Sequence, residues 1–340
     1  MKHAVWTGGL VLWLSLILPA QAVRQVVDSA GTQVTVPDQV VRIADAWYAH
    51  HSLLMTLGAG DKIIATVNHQ QDRPWMFLVQ PSLQKALAVP GTTFNSEMLV
   101  GAHTDVLFAA KGNGDVAAYR QAQIPTLEMQ FTDFPSMQQA LLTTAEVLGT
   151  ALARQQAALY NQYLDSHIAA IAAKTRNLTD VQRPRVLHIV ATHPLKVDGR
   201  DTLIDTWIRL AGGINAAAEV KGNMKEVSSE QLLVWQPDVI ILGEGAGGLN
   251  TAEYAKVLPV LKAVQRHQVW QNPAGVFPWD RYGTEAALQI QWAAQKLHPD
   301  LFAEVDMVTV TQDFYRRFFN YALTAEQAKR ILAALPPASR

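Results

Sequence analysis

The chain contains no cysteine. That absence excludes disulfides, thiolate metal sites, cysteine nucleophiles and iron–sulfur clusters together. It also removes the residue that carries the lipid of a bacterial lipoprotein. Charge is scarce, at 17% of residues, and nearly balanced, with 28 Lys and Arg against 29 Asp and Glu. No basic run occurs, so there is no electrostatic footprint for a nucleic-acid backbone or an anionic membrane, and neither is expected as a partner. Catalytic signatures are missing too. There is no His-Glu-x-x-His, no Gly-x-Ser-x-Gly, no phosphate loop and no Gly-x-Gly-x-x-Gly behind a strand. The run Gly243-Glu244-Gly245-Ala246-Gly247-Gly248 lacks the loop lysine and reads as a flexible cleft-edge loop.

What is present is an ordinary globular composition: 340 residues, 49% hydrophobic, net charge −1. A chain of this size can bury a core large enough to be stable without disulfides. The first 22 residues place Lys2 before an apolar stretch from Ala4 to Leu18 and close on Ala20-Gln21-Ala22, the small-x-small pattern of a signal-peptidase site. The stretch is shorter than the roughly 20 residues that span a bilayer. Residues 1–22 are therefore expected to be a cleaved signal peptide, and the mature chain a soluble periplasmic protein without a lipid anchor.

One pattern is written twice. Residues 96–108 read SEMLVGAHTDVLF and residues 229–241 read SEQLLVWQPDVII, with Ser-Glu first, Leu fourth and Asp-Val at the tenth and eleventh places. Around each copy, short β-prone runs alternate with amphipathic helices: VVRIADAW, DKIIATV, DVLFAA and IPTLEMQ in the first half, RPRVLHIV, PDVIILGEG and HQVWQNP in the second. Strands alternating with helices predict parallel sheets covered on both faces. Between the halves, Ala151 to Thr175 contains no Pro or Gly and carries Tyr160, Leu164, Ile168 and Ile171 on one helical stripe. The expected architecture is α/β, with two Rossmann-like lobes joined by one long rigid helix. The lobes are expected over 23–150 and 178–340, the second ending in a helical tail, with the spine over 151–177.

These features resemble the class III periplasmic binding proteins of ABC importers, which carry iron siderophores, haem, vitamin B12 and, in a few cases, molybdate. The resemblance covers nearly all of the mature chain and is specific for the family but poor for the ligand. It implies that Glu97 and Glu230, one on each lobe, dock into arginine pockets of the two permease subunits. A carboxylate at a helix amino terminus is steadied by the dipole and can pair bidentately with Arg, which supports that role independently; the plainer alternative is a first-turn acid that stabilises its own helix.

The ligand is expected in the cleft between the lobes, at loops following the carboxyl ends of the strands. Four stretches point there. The first holds Trp47, Tyr48, His50 and His51, whose adjacent histidines diverge by about 100 degrees on a helix and so do not chelate one metal together. The second holds Asn68, His69, Arg73 and Trp75. The third holds His193 beside Thr192 and Lys196. The fourth holds Trp279, Arg281 and Tyr282, two large aromatics and a cation that suit a flat anionic metal chelate; the alternative is an Asp280–Arg281 pair with Trp279 in the core. Relatives place an aromatic ring and often an Arg at this point.

The function expected is a binding protein rather than an enzyme, monomeric and without a cofactor of its own. It captures an iron–siderophore or related metal chelate and delivers it to an inner-membrane permease dimer. Alternatives of the same class are a molybdate or tungstate receptor with His50, His193 and Arg281 as donors, or a metal–histidine receptor. From another class, the alternative is a periplasmic metal-handling enzyme or chelatase on this fold.

Overall fold

A computed structural model describes residues 22–338, so the expected signal peptide up to its last residue lies outside the described residues. An antiparallel hairpin of β1 (Val23–Val27) and β2 (Gln33–Pro37) opens the chain. The first lobe then runs through β3 (Ile43–Asp45), α1 (His50–Thr56), β4 (Ile63–Thr66), α2 (Pro74–Val79), β5 (Leu87–Ala88), α3 (Ser96–Gly101), β6 (Val106–Ala110), α4 (Val116–Gln121) and β7 (Thr126–Met129). Its five strands lie in the order β5-β4-β3-β6-β7 and every pair is parallel. The central strands are apolar on both faces: Ile43, Val106, Leu107 and Phe108 are fully buried, as a sheet covered by helices on two sides requires.

The helix α5 (Phe134–Leu148) starts with a capping box, Asp133 Oδ1 accepting from the Ser136 N–H at 2.9 Å, and ends at Gly149 with φ 71°. That left-handed turn is one a glycine makes without steric cost. Thr150 restarts the chain, its Oγ1 accepting from the Ala153 N–H at 3.1 Å. The spine α6 (Ala151–Thr175) then runs for 25 residues, a rise of about 37 Å. Ala153 and Ala157 let neighbouring helices approach closely, while Tyr160, Leu164 and Ile171 fill the spaces between them.

The second lobe comprises β8 (Arg185–Thr192), β9 (Leu195–Val197), α7 (Leu203–Leu210), β10 (Ile214–Asn215), β11 (Lys225–Glu226), α8 (Gln231–Trp235), β12 (Val239–Leu242), α9 (Lys262–Gln265), β13 (Val269–Gln271) and α10 (Ala286–Leu297). The tail adds α11 (Met307–Phe318) and α12 (Ala325–Leu332). The strand order is β11-β9-β8-β12-β13, with β10 paired to the start of β8. This sheet is mixed, which corrects the expectation of two parallel sheets. β8 and β12 are parallel, but β9 folds back antiparallel on β8 through Thr192-His193-Pro194-Leu195, and β11 is antiparallel to β9. The two-residue link, His193-Pro194, is too short for the crossover that a parallel partner needs.

One contiguous buried cluster runs from Val26 and Leu53 in the first lobe through Tyr160 and Leu164 of the spine to Ile290 and Phe314 in the second. Two smaller clusters fill the outer faces of the sheets. Where α1, α6 and α10 meet, polar groups knit the lobes together. The Thr284 N–H donates to Ser52 Oγ at 3.1 Å, the Tyr160 hydroxyl donates to the Thr284 carbonyl at 2.6 Å, and the Thr56 and Thr284 hydroxyls lie 2.8 Å apart.

Candidate ligand cleft

In a parallel sheet the loops leaving the carboxyl ends of the strands share one edge, and here those of both lobes converge on a seam. From the first lobe come residues 46–49 after β3, 67–73 after β4 and 130–133 after β7. From the second come 243–248 after β12 and 272–285 after β13. Contacts cross the seam directly. Arg73 Nη1 meets Glu244 Oε2 at 2.7 Å, the Arg73 guanidinium lies 5.0 Å over the Phe277 ring, and Phe131 packs edge-on against Tyr282 at 5.6 Å. Trp47 continues this aromatic line, 5.3 Å from Phe131.

Several buried polar atoms at this seam have no hydrogen-bond partner: Asn68 Oδ1, Arg73 Nε, Asn223 Oδ1, Asp280 Oδ1 and Arg281 Nη2. They make up half of the ten such side-chain atoms among the described residues, so unmet hydrogen-bonding capacity is concentrated here. Such groups cost about 1–3 kcal/mol each when left unpaired in a dry site, and concentrating them is typical of a place where something binds. Asn68 is oriented by its Nδ2, which donates to the Tyr48 carbonyl at 3.0 Å, leaving its oxygen free.

The floor of the second lobe is a charged chain. His188, on β8, is fully buried between two carboxylates, with Nδ1 2.8 Å from Asp198 Oδ2 and Nε2 2.5 Å from Asp280 Oδ2. Only the protonated imidazole can donate from both nitrogens. Burial alone disfavours that charge, but the two carboxylates together raise the His188 pKa to about 9. Burial likewise opposes the charge on Asp198, yet His188 and Arg281 hold its carboxyl below the usual range. Arg281 Nη2 lies 3.4 Å from Asp198 Oδ2. Burial pushes the Tyr282 hydroxyl up to about 12, so it keeps its proton beside the Asn223 amide that it meets.

This charge has a consequence for stability. Because the native pKa lies above the ordinary 6.5, the contribution of His188 is complete below pH 6.5 and is lost as pH rises through about 9. Urea unfolding should show a loss of about 3 kcal/mol between pH 6.5 and 9.5. In His188→Gln that change should vanish; an unchanged slope in the variant would remove His188 as its source.

The residues expected from the sequence divide. Trp47 is half-buried, Tyr48 is exposed, and Arg281 and Tyr282 are partly exposed on the seam. His69 follows β4 as expected, but its Nε2 is engaged by the Val89 carbonyl at 3.0 Å. His50 and His51 correct the expectation of a cleft histidine: both are fully buried. His50 joins Asp45 at 2.9 Å to Thr144 at 3.0 Å, and His51 joins the Trp47 carbonyl to Thr66 Oγ1 at 2.7 Å. Burial holds the His51 pKa below its ordinary value. They bond the first helix to the sheet.

His193 sits on the β8–β9 turn, half exposed and paired with Glu253 at 3.1 Å. Trp279 is a second correction, since it is fully buried with Nε1 donating to Glu285 at 3.0 Å, and its face is turned into the core. Glu285 also accepts the backbone N–H of Phe277 at 2.7 Å and the Tyr315 hydroxyl, and so fixes the loop that presents Arg281. A Cβ at Gly275 would fall 2.0 Å from the Tyr315 oxygen, so only glycine fits this turn. Asp280 and Arg281 do not pair with each other, because each is claimed by the His188 chain.

Glu97 and Glu230 are both exposed at helix starts leading into equivalent strands, β6 and β12. The cap of α3 is Asn95, whose Oδ1 accepts from the Met98 N–H at 3.0 Å. Sequence reasoning missed Asp198, His188 and Asn223. They lie on a strand and loops whose spacing carries no motif, and only the hairpin brings them together.

Residues 44–274 match the family model of periplasmic binding proteins. The molybdate-binding protein MolA of Haemophilus influenzae is 24% identical over 351 residues, covering 93% of this chain and 96% of that protein. A structure of Haemophilus influenzae MolA bound to molybdate superposes with TM-score 0.75 at 20% identity, covering 88% of this chain and 99% of that chain. Helicobacter pylori CeuE with Ni(II) bound gives TM-score 0.73 at 18% identity, covering 91% of this chain and 99% of that chain. Among the described residues, no helix is long and apolar enough to cross a membrane.

Proposed function

The chain belongs to the periplasmic binding protein family, and from that premise we propose that it captures an anionic metal chelate, of the ferric siderophore kind, in the seam between its lobes and hands it to the permease of an ABC importer. One observation carries the ligand class. The buried atoms at the seam that lack a hydrogen bond include donors from both lobes, Arg73 Nε and Arg281 Nη2, the latter ion-paired with Asp198 at 3.4 Å, and acceptors, Asn68 Oδ1 and Asp280 Oδ1. A ligand bearing both anionic oxygens and N–H or O–H groups satisfies both sets. A bare oxyanion, which only accepts, leaves Asp280 and Asn68 unmet.

A compact oxyanion such as molybdate is the second reading, favoured by a different observation. With Trp279, His50 and His51 turned into the core and Phe131 and Phe277 buried, the exposed aromatic area left at the seam reduces to Trp47, Tyr48 and Tyr282. A flat chelate draws on such area for stacking, and an oxyanion does not.

Titration separates the two readings. A ferric siderophore panel should quench tryptophan fluorescence through Trp47 at the seam, and molybdate should leave it unchanged; saturation by molybdate alone would select the second reading. In either case Arg281→Ala should weaken binding about 10–100-fold, the value of a charge-assisted hydrogen bond in a dry site. Binding that survives the change within a factor of two would place the ligand elsewhere.

A further inference from the structure

The glycine-rich run after β12 is absorbed by none of the roles above, yet it places a carboxylate on the first lobe's arginine. Glu244 reaches across the seam to Arg73 at 2.7 Å, and both side chains are largely shielded, at 23% and 33% exposure. The loop is anchored at its ends and at Ala246, with Glu244 between. The Gly243 N–H donates to the Ile189 carbonyl and the Gln271 amide to the Gly243 carbonyl, the Thr192 N–H and hydroxyl donate to the Ala246 carbonyl, and Gly245 and Gly247 turn the chain at φ of 70° and 88°.

We propose that Glu244 is an internal counter-ion for Arg73 which an incoming anion must displace, so that the loop acts as a latch between the lobes, released by ligand. The proposal rests on the reading of the seam as an anion site. Arg73 is poised for the exchange: its guanidinium is held in place over Phe277, and its Nε is buried without a partner. Glu244 is poised to leave. Burial opposes its charge and raises its pKa, Arg73 favours the charge, and Asp280 and Asp72 repel it. Those three residues are the charged groups that face it, Arg73 and Asp72 from the loop after β4 and Asp280 from the loop after β13. A carboxylate held against two like charges by one arginine is a weak occupant, which a ligand with more than one anionic oxygen outcompetes. The latch would thus reject simple monoanions while admitting multidentate ones.

The test uses the full mature chain with Glu244→Gln, Arg73→Ala and the double variant. Ferric enterobactin-type catecholate and molybdate serve as probes at pH 5.5 and 8.0. Glu244→Gln should raise affinity for the binding probe about fivefold. In the Arg73→Ala background the same change should have no effect, and the wild-type gain on lowering the pH should be absent from Glu244→Gln. Unchanged or weakened binding in Glu244→Gln, or an equal gain without Arg73, would overturn the latch. Amide hydrogen exchange of residues 243–248 without ligand reads the latch independently of the ligand assignment. Both single variants should exchange faster there than wild type. If neither probe binds but exchange accelerates, the ligand class is wrong and the latch stands; if exchange is unchanged, the latch falls whatever binds.

Discussion

Reversing charge at both Glu97 and Glu230 is expected to reduce ligand-dependent ATPase stimulation of the cognate permease complex to background while leaving ligand affinity unchanged. The two acids lie outside the seam, exposed on opposite lobes, each where a short helix begins after a polar loop. Their settings hold the carboxylates ready. Asn95 caps α3 and leaves the Glu97 side chain free in the first turn. Its own backbone N–H and the Ser228 hydroxyl beside it hold the Glu230 carboxyl below the usual range. A charge-assisted pair with a partner arginine contributes about 1.5–3 kcal/mol, and a lysine in its place adds like-charge repulsion of similar size. Two such sites acting together amount to at least about ten-thousandfold in docking affinity. The single reversals should each give a partial defect. A double variant that still stimulates the ATPase would show that these acids serve only their own helices.

The second large effect is expected at Glu285. Its carboxylate is fully buried and gathers the Phe277 and Val276 backbone N–H groups, the Trp279 indole and the Tyr315 hydroxyl. Glu285→Ala strands these donors and opens a void, a loss of about 3–5 kcal/mol in urea unfolding. Glu285→Gln keeps an acceptor and the volume and should cost about 1 kcal/mol. The pH dependence tells the two apart from a packing effect. Burial outweighs the four hydrogen bonds and pushes the Glu285 carboxyl up to about 7 from an ordinary 4.5. Native protein therefore holds this proton more tightly than the unfolded chain, so the stability is complete below pH 4.5 and is lost, to about 3 kcal/mol, as pH rises through 7. Glu285→Gln should abolish that slope while leaving the separate one from His188 at higher pH. If Glu285→Ala unfolds within 1 kcal/mol of wild type, the carboxylate is not what holds this loop. The same variant should also weaken ligand binding, because the loop it fixes carries Arg281.

Much of the fold was legible because its signals are local. Alternating strand and helix runs, Gly149 as a stop and an unbroken 25-residue stretch after it specify lobes and spine from one-dimensional pattern alone. The duplicated Ser-Glu motif marked equivalent helix starts. The β8–β9 hairpin escaped because β9 is only three residues long and its partner is set by the fold rather than by composition. Arg281, Tyr282 and Trp47, which lie at the seam, are legible in the sequence as rings and a cation on loops after strands. Trp279, His50 and His51 misled for the same reason. An aromatic or imidazole beside a loop looks the same in sequence whether it faces the cleft or a buried polar group, and the hydrogen-bond partners that turn these three inward, Glu285, Asp45 and Thr66, are decided by tertiary packing. The His188 chain needs three segments brought together, and no spacing announces it.

The buried apolar cluster that passes without interruption from Val26 through the spine to Phe314 leaves no plane along which half the protein could come loose alone. Heat or mutation that loosens the outer hairpin is therefore felt at the tail, and the seam between the lobes inherits its rigidity from side chains remote from it.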